Sequence, residues 1–405
     1  MRYNLSMNYE ESSQKIREKL AKLSNTNAED WHLCLKARFG MALVFESIRD
    51  KLGAGEVITT PYTCITSINP VLVAGLTPVY HDIDAQLLST GKPDEKYCKP
   101  KTRAIVMQHT VGIIGDKTNI RKYADKHNLI LIEDSAHCVT RFARDKDGKI
   151  LADISVHSFG VEKVLTGTKF GGAIWINPEL KAARPQLYER IVEKFDKLKQ
   201  PDFHMNFRVR TYRLNNAIIQ RLHGNLRRNF RNFEIKAGIL EPPIYPFEQD
   251  GQQDEPRTTN KYINERILEQ LDIIKSNYIR RSANVELYHN KLKSKYFTKV
   301  TKVQEPLLAF PILFETAEKA NEAYDMLSTQ GFFIRRWYSP LLYPGPNSLK
   351  IYRYNPKAAP LAEDISKRIL CLPTDLPVIE TNKIIKFLTD QKSPVQKPVD
   401  NSKQK

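Results

Sequence analysis

The chain has 405 residues, 41% of them hydrophobic, and a formal net charge of +17. That length supports a large core and more than one domain, and with no run of 18 apolar residues a membrane span is not expected. The five cysteines (Cys34, Cys64, Cys98, Cys138 and Cys371) are odd in number and lack Cys-x-x-Cys spacing, which predicts free thiols in a reducing compartment rather than a disulfide framework or a metal site.

Residues 1–30 are polar, with a helix predicted over Tyr9 to Leu23. The opening Met1-Arg2-Tyr3-Asn4-Leu5 carries no apolar leader, so a cytoplasmic protein is expected. A helix-like run follows from Leu33 to Phe45 and ends near Leu52-Gly53-Ala54-Gly55. Glu56 to Ser67 reads as a strand, a turn marked by Pro61 and a new helix. Ala74 to Asp84 is a strand with an acidic turn. Ala104 to Gln108 is a further apolar strand running into His109, and Thr118 to His127 is a basic helix. Strands and helices alternate to about Ile176 at spacings that suit βαβ crossovers. The fold class is therefore α/β, with a mostly parallel sheet covered on both faces.

The stretch Ile130 to Gly172 carries the chemistry. Ile130-Leu131-Ile132 ends in Glu133-Asp134-Ser135-Ala136-His137. Asp153 to His157 ends in Ser158-Phe159-Gly160-Val161-Glu162-Lys163, and Phe170-Gly171-Gly172 opens another strand. In an open α/β sheet ligands sit beyond the carboxyl ends of the strands, so Asp134, Ser158 and Lys163 point at one crevice. These groups fit pyridoxal 5'-phosphate. A lysine condenses with its aldehyde, an acid keeps the pyridine nitrogen protonated, and a hydroxyl helps hold the phosphate. Singly, an Asp at a strand end is more often a helix cap and a loop Lys is more often solvated. The order of the three separates the readings.

That order, Glu133-Asp134-Ser135-Ala136 and then Ser158-Phe159 followed by Lys163, resembles the DegT/DnrJ/EryC1/StrS sugar aminotransferase family over roughly residues 30 to 390. The resemblance implies the pyridoxal-phosphate-dependent transferase fold type I, with a large domain built on a seven-stranded-type sheet and a smaller α+β C-terminal domain. It implies a homodimer with shared active sites that converts a nucleotide-linked keto sugar to an amino sugar for glycan synthesis, with glutamate as donor. Lys163 would be the catalytic residue, with Asp134 and Ser158 binding the cofactor. His137 stands where the family more often has Gln against the cofactor's phenolic oxygen, and a neutral imidazole N–H can do the same. Arg38 and Phe39, after Ala37, occupy the family's phosphate-binding helix start, where amides and dipole favour an anion. Cys64 takes the place of an aromatic that stacks on the ring, unless Tyr62 substitutes. His109 falls in the family's His-x-x-Gly segment, although a buried His there is more often a satisfied core group.

The match loosens over residues 178–260. Tyr212-Arg213 resembles a segment that reaches the partner subunit's cofactor phosphate, with Thr211 or Asn206 as its companion, so Arg213 is a candidate anion contact. Residues 181–236 hold 14 Lys or Arg against 5 Asp or Glu. This basic, amphipathic stretch could be a solvated face, a guard of the nucleotide-sugar entrance or a peripheral contact with an anionic membrane. Pro242 to Pro256 is a proline-rich loop over the site. Asn260 to Leu292 returns to the family pattern, Leu307 to Phe314 and Phe332 to Trp337 are expected strands, and Glu380 to Asp390 is the closing helix. Arg335 or Arg336 could meet the donor's carboxylate. The expected layout is a lead over 1–30, a large domain over 31–260 with a basic insertion at about 180–258, a small domain over 261–390 and a disordered tail over 391–405. Three other readings stay open: a dehydratase on the same scaffold, a non-catalytic sugar-nucleotide binder, and a regulator that binds nucleic acid. Lys163 favours transamination over the first, and no helix-turn-helix or zinc pattern supports the last.

Overall fold

The computed structural model describes residues 7–389, and the tail from Gln391, expected to be disordered, lies outside them. The first part of the chain forms α1 (Tyr9–Ser24), β1 (Trp31–Cys34), α2 (Ala37–Leu52), β2 (Glu56–Thr59), α3 (Ile65–Val73), β3 (Thr77–Tyr80), β4 (Ile83–Asp84) and β5 (Ser89–Thr90). Then come β6 (Thr102–Gln108), α4 (Thr118–Lys126), β7 (Ile130–Asp134), β8 (Ile154–Ser158) and β9 (Gly172–Ile176). Four helices follow, α5 (Pro178–Ala183), α6 (Pro185–Asp196), α7 (Phe203–Arg221) and α8 (Gly224–Lys236). The remainder is α9 (Lys261–Asp272), α10 (Ile274–Lys291), β10 (Phe297–Lys299), β11 (Ala309–Phe314), α11 (Ala317–Thr329), α12 (Pro360–Arg368), β12 (Ile369–Pro373) and α13 (Val378–Thr389).

Seven strands make the main sheet, in the order β1-β9-β8-β7-β6-β2-β3. β3, β2, β6, β7 and β8 are parallel, and only β9 is reversed against its neighbours β8 and β1. Sheets of this kind are covered on both faces, which is why the strands read as near-continuous apolar runs. Ile130, Leu131, Ile132, Ile154 and Val156 are all buried. β10, β11 and β12 form a separate antiparallel sheet.

Successive side chains of a strand point to opposite faces. At the end of β7 this sends two neighbouring carboxylates in different directions. Glu133 turns into the core, where His109 Nε2 lies 2.7 Å away and the Ala143 amide donates to it at 2.6 Å. Burial opposes the charge, but the His109 contact and that amide leave the Glu133 carboxyl below its ordinary range. Asp134 turns the other way. His109 is thus a core partner of Glu133, and it also lines the cavity described below.

One expected strand is absent. Phe332 to Trp337 makes only a single bridge, Arg335 to Cys371. The segment leaves the small sheet and runs beside the loop after β2. Pro340 and Pro344 supply no amide donors for a ladder. Amides of Leu342 and Tyr343 donate to Pro61 and Thr63, and Ile65 donates back to Tyr343.

The N-terminus of α2 is packed tightly on β9. A Cβ placed on Gly172 would lie 2.7 Å from the backbone nitrogen and Cα of Ala37. Backbone cannot step aside as a side-chain tip can. Gly172→Ala is therefore expected to destabilise by about 1–3 kcal/mol, the usual cost of overpacking. Denaturant midpoints of the two proteins check this, and an unchanged midpoint would show that α2 is free to shift.

Candidate active site

A cavity of about 390 Å³ opens at the carboxyl ends of β6, β7 and β8. Its floor is Gln108, Asp134 and Ser158, one from each strand end. The start of α2 (Lys36, Ala37, Arg38) forms one wall, and Trp337, Tyr338 and Tyr343 form another. Pro242, Pro243 and Ile244 complete the rim. This is where parallel α/β sheets bind ligands.

Lys163, Asp134 and His137 all line this cavity. Lys163 sits on the loop after β8, next to Glu162, whose φ of 62° is left-handed. That conformation costs a non-glycine residue about 1–3 kcal/mol and is retained where the surroundings fix it. Burial, only partly opposed by Cys64, Asp134 and Glu162, pulls the Lys163 ammonium below its usual range. Its Nζ stands 5.6 Å from the centroid of the Trp337 ring. Asp134 is held at both oxygens. Ser67 Oγ donates to Oδ2 at 2.7 Å, and the Ala136 amide donates to Oδ1 at 3.1 Å.

His137 has a defined tautomer. The Val111 amide donates to Nδ1 at 3.0 Å, so that nitrogen carries no proton. The ring proton is then on Nε2, 3.3 Å from the Tyr338 hydroxyl. The ring stacks on Trp337 at 4.8 Å with 14° between planes. Burial first, then the positive charges of Lys163 and Arg335, hold the imidazole well below its ordinary pKa. His137 is a neutral N–H donor facing the cavity.

The remaining candidates divide. Ser158 lines the cavity, and its Oγ accepts from the Gly160 amide at 3.4 Å. No side chain caps the start of α2, whose first residues line the cavity; within the turn the Lys36 carbonyl takes only the Phe39 amide. Arg38 lines the wall, but its guanidinium is engaged by Glu248 at 2.6 Å and by the Pro243 carbonyl at 3.1 Å. Phe39 is not brought to the cavity: its side chain is fully buried in the core, and its amide donates to the Lys36 carbonyl. Cys64 does line the cavity and accepts from Thr66 Oγ1 at 3.0 Å. Tyr62 does not; it is buried and donates to the Trp337 carbonyl at 2.7 Å. Arg213 also lies outside, in a neighbouring hollow with Lys169 and Tyr262, where it donates to the Gly167 carbonyl. Of the two C-terminal arginines, Arg335 does not line the cavity but packs behind two residues that do, 5.0 Å over Trp337 and 3.7 Å from Glu162. Arg336 is turned away to Asn321 and the Lys367 carbonyl.

Sequence reasoning missed Trp337, Tyr338 and the pair Lys36–Glu241. Trp337 was read as strand, and only the prolines downstream signalled otherwise. Lys36 and Glu241 are both buried in the cavity wall and paired at 2.5 Å, with Arg208 also on Glu241 at 3.1 Å. They stand 205 residues apart, and no local pattern links them.

The molecule has the fold of the pyridoxal-phosphate-dependent transferases of fold type I. Residues 40–221 match the model of the DegT/DnrJ/EryC1/StrS aminotransferase family. A curated relative, dTDP-4-amino-4,6-dideoxy-D-glucose transaminase of Escherichia coli, is 24% identical over 93% of this chain and 88% of its own length. Among solved structures, Helicobacter pylori PseC, an aminotransferase involved in the biosynthesis of pseudoaminic acid, superposes with a TM-score of 0.67 at 20% identity, covering 96% of this chain and 93% of that one. NtdA of Bacillus subtilis, with bound cofactor PMP, gives 0.66 at 18% identity, covering 93% and 77%. Over that segment the chain is similar to the DegT/DnrJ/EryC1/StrS aminotransferases.

Buried neutral histidines make stability depend on acid. Burial lowers His32 and His157 to about 4, and His137 is lowered as well. An unfolded imidazole titrates near 6.5. Between those values the unfolded chain binds more protons than the folded one, so stability falls as pH drops. Denaturant midpoints are expected to decline steadily from pH 6.5 toward 4; a flat profile would mean that these rings are charged in the fold.

Proposed function

We propose that this aminotransferase uses pyridoxal phosphate to move an amino group from glutamate to a nucleotide-linked keto sugar, in the cytoplasm, as a step of glycan synthesis. Support comes from one observation above the rest: Lys163, Asp134 and His137 face a single cavity beside the open N-terminus of α2. The names of the relatives point to the same substrate class.

The residues fit the group. When bound, the cofactor supplies an aldehyde and a protonatable pyridine that draws electrons from the reacting carbon. Lys163 is the amine for that aldehyde. Its surroundings favour the neutral form, the form that condenses, and that can afterwards accept and return a proton at Nζ. Among the described residues no carboxylate pairs with that Nζ at ion-pair distance, so the amine stands available. Asp134, fixed by Ser67 and Ala136, would hold a proton on the ring nitrogen. His137 would donate Nε2–H to the phenolic oxygen. Ser158 and the first amides of α2 would hold the phosphate, leaving Arg38 to its pairing with Glu248. Trp337 lines the same cavity and would supply the aromatic contact that Cys64 cannot. Arg335, behind Trp337, would be the cation that meets a donor carboxylate. Arg213 faces out of its own cavity, which suits a contact made across a homodimer.

Two variants test the reading. Lys163→Ala is expected to abolish turnover and the visible absorbance of the protein-bound cofactor together, while binding the cofactor's amine form. Asp134→Asn is expected to lower the glutamate half-reaction by about 10²-fold or more, the scale for loss of a preorganised electrostatic partner. Formation of 2-oxoglutarate and the absorbance spectrum are the measurements. Normal turnover by Lys163→Ala would refute the assignment.

A further inference from the structure

We infer that the outer face of α7 and α8 docks on an anionic lipid surface. The inference does not depend on which sugar the active site uses. α7 is apolar on two opposite sides. Met205, Val209, Tyr212 and Ile219 pack inward. Phe203, Phe207, Leu214 and Ile218 are exposed, at 80%, 48%, 65% and 40%. At 100° per residue these four fall within about 60° of one another, on the side opposite the buried set. α8 repeats the feature with Leu226 and Phe233, seven residues apart and both about 60% exposed. An exposed apolar stripe of this size marks an interaction surface.

The charge selects the occupant. α7 and α8 carry eight cations; Arg208 is turned inward to Glu241 and Arg213 to the Gly167 carbonyl, which leaves Arg210, Arg221, Arg227, Arg228, Arg231 and Lys236 for a partner. Their one acid, Glu234, is buried. A second copy of the chain meeting this face symmetrically would set cations against the same cations. Nucleic acid would take the charge but has no use for six exposed Phe, Leu and Ile side chains. A membrane surface takes both, with apolar side chains in the acyl boundary and arginines among anionic headgroups. No helix among the described residues is long and apolar enough to cross a membrane, so the contact is interfacial.

The test uses the full chain loaded with pyridoxal phosphate and vesicles of phosphatidylcholine with and without phosphatidylglycerol. Co-sedimentation is expected only with the anionic vesicles and should weaken as NaCl rises. Leu226→Ser with Phe233→Ser should reduce the bound fraction about tenfold or more. Arg227→Gln with Arg228→Gln, both exposed on α8, should reduce it about fivefold per cation. Both variants should keep the cofactor absorbance and the glutamate half-reaction. The inference fails if anionic vesicles do not bind, or if neutral ones bind equally. It also fails if duplex DNA binds the serine variant as tightly as the parent, or if Phe203→Ser with Leu214→Ser turns a dimer into a monomer by sedimentation velocity.

Discussion

The alternation of side chains at the end of β7 governs the site. Glu133 and Asp134 are consecutive and both acidic, so one must enter the core if the other is to reach the cavity. Burying a carboxylate is costly unless it is paired, and His109 with the Ala143 amide provide the pairing. A slip of one residue in the register of β7 would send Asp134 to His109 and Glu133 to Ser67. The pairing of Gln108 with Asp134 across β6 and β7 fixes that register. The core histidine therefore contributes to the chemistry indirectly, by making one orientation of the strand affordable.

Around Asp134 the cavity favours neutral donors over charged ones. Lys163 and His137 are each pulled toward their uncharged forms, chiefly by burial. Their proximity reinforces this, since two cations in one low-dielectric space repel. The outcome suits the proposed chemistry. A neutral amine attacks, whereas an ammonium does not, and an imidazole with one proton on Nε2 gives that hydrogen bond without adding charge. The Val111 amide fixes the tautomer, and Val111 itself has φ of 51°, so a strained loop is maintained at the point where the ring is oriented.

What the sequence disclosed follows from range. The acid and the hydroxyl end two adjacent parallel strands and the lysine follows on the next loop, all within 30 residues, so strand periodicity and the strand-end rule were enough to bring them together. Helices with caps and buried faces, such as Tyr9–Ser24, were legible for the same local reason. Contacts between distant segments were not. Trp337 reaches His137 from 200 positions away through a backbone held by Tyr62, and nothing in the run Phe332 to Trp337 distinguishes it from a strand. Arg38 was legible as a cation at a helix start, but its partner Glu248 was not, so its availability to an anion was overestimated. Phe39 was misplaced because family position indicates which backbone approaches the phosphate, not where the side chain points.

The segment 241–248 explains why the acceptor is harder to read than the cofactor site. It lies beyond the residues that match the family model, yet it forms the cavity rim and is tied down by two largely buried ion pairs, Glu241 to Lys36 and Glu248 to Arg38. Breaking one member of such a pair typically costs about 3–5 kcal/mol, because the remaining charge is left buried and alone. Both anchoring cations sit at the start of α2, the same turn that faces the proposed phosphate site. Cofactor seat and rim are thus coupled through one helix end: a change in the rim that releases Glu248 would free Arg38 beside the phosphate and alter the charge there. Changes at Pro242, Pro243 and Ile244 can reshape the rim between these anchors, but removing the anchors would disturb the turn that faces the proposed phosphate site.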